Sequence, residues 1–235
     1  MNNERLLVIG AAGDVGQGIV SAALTSGRRV VAAGRDRNKL ARIAALHAGK
    51  PLEYVVGDIA TEAGAAALWQ ESATRFGEVD AVVVSVNAPT RPQPLMESSA
   101  ASLAQMLASN LLPHFIAAKA FIPRLAQTGL LIGIGGGTAD FIIPGLSHIS
   151  VCQAAERMLY RGLWRERQAG AEVRELMISS MVNGVSNRDR AKPQWLTDIE
   201  VGRHVCAILD APGQFPDPVI QLRSREDVGR PQVHA

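Results

Sequence analysis

The chain has 235 residues, 47% of them hydrophobic, which is enough for one large α/β domain spanning residues 1–235. The net charge is only +2 and the basic residues are scattered, so composition does not predict nucleic-acid binding. No apolar run approaches the roughly 18 residues of a membrane span, and two cysteines do not suggest a disulfide framework, so we expect a cytoplasmic protein without membrane contact.

Short apolar runs alternate with longer amphipathic stretches along the chain. The predicted strands are residues 5–9, 29–33, 52–56, 81–86, 130–134, 173–180 and 218–222. The predicted helices are residues 15–25, 37–47, 62–76, 100–126, 147–168 and 198–209. This alternation implies right-handed crossovers, and it predicts a Rossmann-type α/β fold, a doubly wound parallel sheet of about seven strands with helices on both faces.

Three glycines follow the first predicted strand at a spacing of three residues. Gly10 permits a tight turn, Gly13 lets the backbone approach a pyrophosphate, and Gly16 allows a helix to pack closely on the strand. Asp14 precedes and Val15 opens the predicted helix, whose first N–H groups and positive dipole end favour phosphate. This context predicts a dinucleotide-binding turn formed by these residues; the alternative is a turn with a structural role only.

The second predicted strand ends in Gly34 and Arg35. A site that prefers NAD usually has Asp or Glu here to bind the ribose 2′-hydroxyl, whereas an arginine pairs with a 2′-phosphate. We therefore expect NADP(H) to be preferred, with NAD(H) possible. The alternative is a solvated arginine in a charged turn.

These features, in this order, resemble the short-chain dehydrogenase/reductase family over nearly the whole chain. Asp58 and Ile59 resemble the family's pair that contacts adenine, and Asn110 resembles the helix asparagine of its catalytic tetrad. The resemblance also implies a cofactor border at Ser85 and Asn87, after the fourth strand, and backbone contacts to the cofactor near Val185. Membership implies an oxidoreductase that acts on a small-molecule substrate.

The catalytic centre departs from the family pattern. The serine position falls on Gly136, the tyrosine position on Ile149 and the lysine position on Gln153. The chain's two tyrosines, Tyr54 and Tyr160, are not followed by lysine four residues later. Ile149 has no proton to donate to a developing alkoxide, and Gln153 is able to bind ribose hydroxyls but carries no charge.

His148, beside the vacated tyrosine position, is the candidate substitute acid, because imidazole suits proton transfer near neutral pH. It lies about 100° around the helix from the tyrosine position, so an ordinary pocket or surface histidine is the alternative. Thr138 is a candidate replacement for the serine hydroxyl. We expect Gly135, Gly136 and Gly137 to make room for the nicotinamide or a bulky substrate, or else to form a flexible turn.

Three functions remain open at this stage. The first is an atypical oxidoreductase whose proton comes from His148, water or the substrate. The second is a non-catalytic NADP(H)-binding sensor or partner subunit, and the third is a dehydratase- or isomerase-like activity that uses bound cofactor. The histidines show no metal-ligand spacing, so no metal is expected. The resemblance implies a homodimer or homotetramer formed through helices 100–126 and 147–168.

Overall fold

The computed structural model describes residues 4–88, 91–166 and 170–231. Seven parallel strands form one sheet in the order β3-β2-β1-β4-β5-β6-β9. These strands are β1 (Arg5–Ile9), β2 (Arg29–Gly34), β3 (Leu52–Val56), β4 (Ala81–Val84), β5 (Leu130–Gly136), β6 (Glu172–Ile178) and β9 (Val219–Leu222). A separate pair joins β7 (Val182–Asn183) to β8 (Leu196–Thr197). The predicted doubly wound sheet is confirmed.

In the described ranges, seven α-helices connect or cover the strands. They are α1 (Asp14–Thr25), α2 (Arg37–Leu46), α3 (Glu62–Phe76), α4 (Ala100–Asn110), α5 (Leu112–Phe121), α6 (Ser147–Glu166) and α7 (Asp198–Asp210). One apolar core lies between the sheet and helices α1, α2 and α7, and a second lies between the sheet and helices α3, α5 and α6. Strands buried on both faces explain the nearly continuous apolar runs of the sequence.

Helices α1 and α7 cross in backbone contact. A Cβ atom at Gly18 would overlap the carbonyl group of Asp198, and one at Gly202 would overlap the carbonyl oxygen of Gly18. Because α1 also begins at the glycine turn, this close packing fixes the direction in which its N-terminus points.

The prediction of one helix over residues 100–126 is wrong. The chain forms α4 and α5, separated at Leu111, and a 3-10 turn at Ile122–Arg124 follows. Pro113 lies in the first turn of α5 and has no N–H for an α-helical bond back to the preceding turn. The break places Asn110 at the end of α4.

Several predicted ends also differ. β4 ends at Val84 instead of residue 86, β5 continues to Gly136, and β6 ends at Ile178 instead of residue 180. The two-residue strands β7 and β8 were not predicted, because so short a run has no measurable periodicity. Residues 167–168 of the sixth predicted helix lie outside the described ranges. Within those ranges, no helix combines the length and the apolar composition needed to cross a membrane.

Candidate functional site

The sheet reverses its strand order between β1 and β4, which are neighbours. The connections that leave these two strands run in opposite directions, so a crevice forms at their carboxyl ends. In open α/β sheets this crevice is the usual ligand site. The glycine turn after β1 and the segment after β4 line it.

The glycine turn has the geometry that its sequence predicts. Gly10 has a positive φ of 77°, and a Cβ atom there would overlap the backbone of Ser85. A Cβ at Gly16 would overlap the carbonyl oxygen of Gly10, so only glycine allows helix α1 to start this close to the strand. Gly13 is the N-cap of α1 and provides no side-chain cap. The first N–H groups of the helix, including that of Val15, therefore have neither intrahelical acceptors nor a side-chain cap from Gly13.

Asp14 links the glycine turn to the segment after β7. Its carboxylate accepts hydrogen bonds from the Ser186 N–H at 2.8 Å, from the Ser186 hydroxyl and from the Asn187 amide at 3.3 Å. A Cβ at Gly184 would overlap the Asp14 side chain. The segment that carries Val185, which is 46% exposed, is thus held against the N-terminus of α1.

Arg35 follows β2 and is exposed, with no hydrogen bond or ion pair to another described residue. The next residue, Asp36, is the N-cap of α2, and its carboxylate accepts hydrogen bonds from the N–H groups of Asn38 at 2.9 Å and Lys39 at 3.1 Å. The acidic side chain nearest the end of β2 therefore caps a helix, while the Arg35 guanidinium is available to a ligand.

The other predicted cofactor residues lie along the same edge of the sheet. Asp58 is exposed, and its carboxylate accepts the N–H of Ala60 at 3.0 Å. The Ile59 side chain is only 4% exposed and packs in the core, so its contribution to a cofactor site is limited to its backbone. Ser85 is half-buried beside Gly10, and Asn87 is exposed at the mouth of the crevice.

Asn110 is buried at the C-terminal end of α4 and its amide is fully used. Its Oδ1 accepts the N–H of Ala88 at 2.8 Å, and its Nδ2 donates to the Met106 carbonyl at 2.8 Å. The side chain therefore holds the segment after β4 against the helix. This is a positioning role, and it differs from the catalytic role that the resemblance implies.

The first two turns of α6 carry the residues at the vacated catalytic positions. Ile149 is half-buried and Gln153 is buried. The Gln153 Oε1 accepts the N–H of Gly136, so one hydrogen bond of this amide is made within the protein, and its Nε2 is able to donate to ribose hydroxyls. His148 is 6% exposed and lines a cavity beside α4, which places it in a pocket instead of on the surface.

The expectation that the glycine run makes room for the nicotinamide or a bulky substrate is wrong. A Cβ at Gly135 would overlap Glu175, one at Gly136 would contact Gln153 at 3.0 Å, and one at Gly137 would lie 2.6 Å from the Ser179 hydroxyl oxygen. The space is filled by the protein's own side chains. Thr138 follows in a 3-10 turn after β5.

A buried polar cluster behind β5 was missed at the sequence level. His114 is fully buried between the Val86 carbonyl, 3.0 Å from its Nε2, and the Tyr160 hydroxyl, 2.9 Å from its Nδ1. Because a carbonyl only accepts, Nε2 carries the ring proton and Tyr160 donates to Nδ1. The Glu156 carboxyl lies 3.2 Å from the same Nδ1. His114 therefore joins the segment after β4 to this cluster.

Burial keeps the cluster neutral. It lowers the pKa of His114 to about 4, and it raises the pKa of Glu156 well above its usual value, with nearby Glu175 adding to the rise. Burial raises the pKa of Glu175 to about 8. The contact between His114 and Glu156 is thus a contact of neutral groups and not an ion pair. The available sequence signals were a glutamate inside the apolar strand β6 and the pair Glu156 and Tyr160, four residues apart on α6.

Across residues 4–88, 91–166 and 170–231, no group of three or more His, Cys, Asp or Glu side chains is arranged to hold a metal ion. Cys152 and Cys206 are buried free thiols, as expected for core residues.

Comparison with known proteins agrees with this geometry. A family model described as short chain dehydrogenase matches residues 4–185. The chain is 30% identical over 137 residues to L-fucose dehydrogenase of Oryctolagus cuniculus, covering 55% of this chain and 45% of the rabbit protein. It is 28% identical over 172 residues to 2,3-dihydroxy-2,3-dihydro-p-cumate dehydrogenase of Pseudomonas putida, covering 71% and 66%. The matches thus span about half to two thirds of these relatives.

Solved structures share the fold over nearly the whole chain. An alcohol dehydrogenase from Thermococcus sibiricus, complexed with 5-hydroxy-NADP, has a TM-score of 0.81 at 23% identity and covers 98% of this chain and 99% of its own. A 3-ketoacyl-(acyl-carrier-protein) reductase from Brucella melitensis, complexed with NADH, has a TM-score of 0.80 at 16% identity, covering 94% and 96%.

Proposed function

Because the chain belongs to the short-chain dehydrogenase family, whose members are oxidoreductases with an NAD(P)-binding fold, we propose that it binds NADP(H) in preference to NAD(H). The observation that carries this preference is the available Arg35 guanidinium beside an Asp36 that caps α2. A guanidinium forms charge-assisted bonds with a 2′-phosphate, and no acidic side chain stands ready for a 2′-hydroxyl.

The residues at the crevice fit such a cofactor. The N–H groups at the start of α1 face the place for a pyrophosphate, because Gly10 and Gly16 bring the turn and helix together without side-chain atoms. Asp58 and the backbone of Ile59 border the adenine side, and Ser85 and Asn87 border the crevice after β4. NADP(H) supplies the capacity to donate or accept a hydride when it is bound.

The proposed chemistry is atypical. Ile149 offers no acidic proton, and Gln153 cannot lower the pKa of a neighbour by charge, so carbonyl reduction through a tyrosine–lysine pair is closed to this chain. A proton for reduction then comes from His148, from water or from the substrate. Of these, His148 has structural support because it lines a cavity at the start of α6.

A second candidate function is a non-catalytic NADP(H)-binding sensor or partner subunit. One observation favours it: Gln153, at the family's lysine position, uses its Oε1 to bind the Gly136 N–H. Gln153 therefore helps to hold β5 in place, and such a structural role is expected where a residue no longer takes part in catalysis.

Titration calorimetry with NADPH and NADH tests the cofactor proposal. One charge-assisted contact contributes about 1.5–3 kcal/mol, so we expect NADPH to bind roughly 10- to 100-fold more tightly. Arg35→Ala should remove most of that difference, whereas Arg42→Ala, an exposed arginine on α2, should leave it unchanged. Equal affinities in the wild type, or tighter binding of NADH, would contradict the proposal.

A further inference from the structure

A small cavity of about 190 Å³ lies between the segment after β4, the start of α4 and the start of α6. Gln93 holds the first wall in place, because its N–H donates to the Gly145 carbonyl at 2.7 Å and so ties this segment to the loop before α6. The volume is below the roughly 300–1,000 Å³ of a drug-sized site, so the cavity suits a small molecule or one end of a larger one.

The cavity is positively charged at one end. Arg91 is the charged side chain of its lining, and Arg91 forms no ion pair or hydrogen bond with another residue of the described ranges. Among the described residues that line the cavity, none carries a carboxylate. An unpaired guanidinium at the mouth of such a cavity is a binding partner for a planar anion.

The N-terminus of α4 adds to this positive end. Ser99 caps the helix by accepting the Ser102 N–H at 3.1 Å, and the first turn of α4 contains no acidic residue that would neutralise the helix dipole. Ser98 and Ser102 face the cavity. The Ser98 hydroxyl donates to the Pro94 carbonyl at 3.3 Å, whereas the Ser102 hydroxyl has no partner in the described part of the chain and is available to donate.

Further along α4 the lining becomes apolar. Met106 lies one turn after Ser102 on the same face of α4, about 6 Å further along the helix. Its sulfur is 2.9 Å from the Nδ2 of Asn110, the last residue of α4. His148 completes the lining beside Ile149. The cavity therefore has a positively charged end that suits an anion, and an apolar lining toward the vacated tyrosine position.

We propose that this cavity binds a small aliphatic carboxylic acid, with its carboxylate at Arg91 and Ser102 and its carbon chain along Met106. One guanidinium neutralises the single charge of a carboxylate in a bidentate pair, whereas it leaves one charge of a phosphate-ester dianion unneutralised. This assignment rests on the proposed function in one respect: it makes the substrate class of the oxidoreductase a carboxylic acid whose chain carries a hydroxyl group that gives up a hydride to NADP⁺ or a carbonyl group that accepts one from NADPH.

Ligand binding tests the assignment without turnover. Hexanoate, its uncharged analogue hexanamide and hexyl phosphate are titrated into the protein, and the ¹³C-methyl signal of Met106, assigned through Met106→Leu, reports binding by NMR. We expect hexanoate to shift this signal and to bind at least about tenfold more tightly than hexanamide, as a charge-assisted contact requires. Arg91→Met should weaken hexanoate binding by a similar factor, and Arg203→Met, an exposed arginine on α7, should not.

Equal binding of hexanoate and hexanamide, or full hexanoate binding by Arg91→Met, would overturn the carboxylate site. Tighter binding of hexyl phosphate would overturn the choice of carboxylate over phosphate. The result is separable from the cofactor proposal because NADPH affinity is measured on the same samples. Failure of NADPH to bind, with hexanoate still bound at Met106, would reject the cofactor and leave the cavity's ligand class intact.

Discussion

At the scale of single residues, the first turns of α6 decide how much catalysis remains. General acid catalysis contributes about 10²–10⁴-fold to a rate, so a chain without the tyrosine–lysine pair should turn over simple ketones very slowly or not at all while it binds cofactor. If a substrate is turned over, His148→Gln should lower kcat far more than it raises KM.

Steady-state kinetics of the wild type and the variant measure this effect. His47→Gln is the control, because His47 lies at the end of α2, where its ring contacts Ser21. Full activity of His148→Gln would leave water or the substrate as the proton source. Rapid reduction of simple ketones by the wild type would contradict the atypical mechanism as a whole.

The buried carboxyl of Glu175 should make the protein less stable as the pH rises. Its pKa is raised from 4.5 to about 8 in the folded state, so above pH 4.5 the unfolded chain releases a proton that the folded chain keeps. Stability from this group is complete below pH 4.5 and is lost progressively up to about pH 8. His114 and His204, whose folded pKa values are lowered to about 4, act in the opposite direction, but only below about pH 6.5.

Between pH 6.5 and 8 the effect of Glu175 is therefore free of the opposing effect of the two histidines. In this range the free energy of unfolding should fall by up to about 1.4 kcal/mol per pH unit for each proton that the folded protein retains. Glu175→Gln should reduce this fall by about 1–2 kcal/mol over the window, with Glu156 contributing the remainder. Urea unfolding at each pH measures it, with the exposed Glu53→Gln as control. An unchanged slope in Glu175→Gln would show that this carboxyl is ionised in the folded protein.

Single residues also mark where sequence reasoning succeeded and failed at the site. The roles of Gly10 and Gly16 were predictable, because spacing after a strand determines where a side chain would clash. The space around Gly135 was not, because the side chain that fills it comes from Glu175 on β6, forty residues later. Its burial depends on a tertiary contact that no local pattern encodes. Asn110 shows the same limit, since its acceptor and donor partners appear only when the segment after β4 is in place.

At the scale of elements, the crossing of α1 and α7 should be the most sensitive to a single methyl group. Gly18→Ala places a Cβ against the backbone of Asp198, which separates the two helices and disturbs the start of α1. We expect a loss of about 1–3 kcal/mol in the free energy of unfolding, as overpacking of a close contact causes.

Gly162→Ala is the matched control, because Gly162 lies within α6 with nothing near the position of its missing Cβ. This change should stabilise the protein by about 0.4–1 kcal/mol through helix propensity alone. Thermal unfolding of both variants measures the contrast. Equal stability of Gly18→Ala and the wild type would show that the two helices tolerate separation.

Element boundaries were predictable where a helix is capped locally. α3 runs over the predicted residues 62–76, with Thr61 as its N-cap and Gly77 after its end. Apolar periodicity alone did not reveal the break at Leu111, because the residues on both sides keep the same apolar character. The break is made by Pro113 and by the contacts of Asn110, which hold the two helices to different surroundings.

At the scale of the whole molecule, the doubly wound parallel sheet followed from the sequence because parallel strands joined by helices allow few topologies. The two apolar cores also followed, since each strand of the central sheet buries side chains on both faces. The surface that would join two copies is less evident from sequence. An apolar side chain on a helix gives the same sequence pattern whether it packs on its own sheet or on a second chain.

We propose that the protein forms a homodimer or homotetramer through α5 and α6. Phe115 on α5 and Met158 on α6 are 42% and 61% exposed, and Leu112 and Val151 on the same two helices are also exposed. Exposed large apolar side chains often mark a protein interface. Light scattering at micromolar concentration should therefore give a particle of about twice or four times the chain mass.

The double variant Phe115→Glu, Met158→Glu should give a folded monomer, as judged by circular dichroism, because burying two carboxylates at an interface is unfavourable. Leu46→Glu, which changes an exposed leucine at the end of α2, should leave the assembly intact. A wild-type particle of 25.0 kDa would contradict this assembly and leave the apolar surface of α5 and α6 without a second copy to cover it.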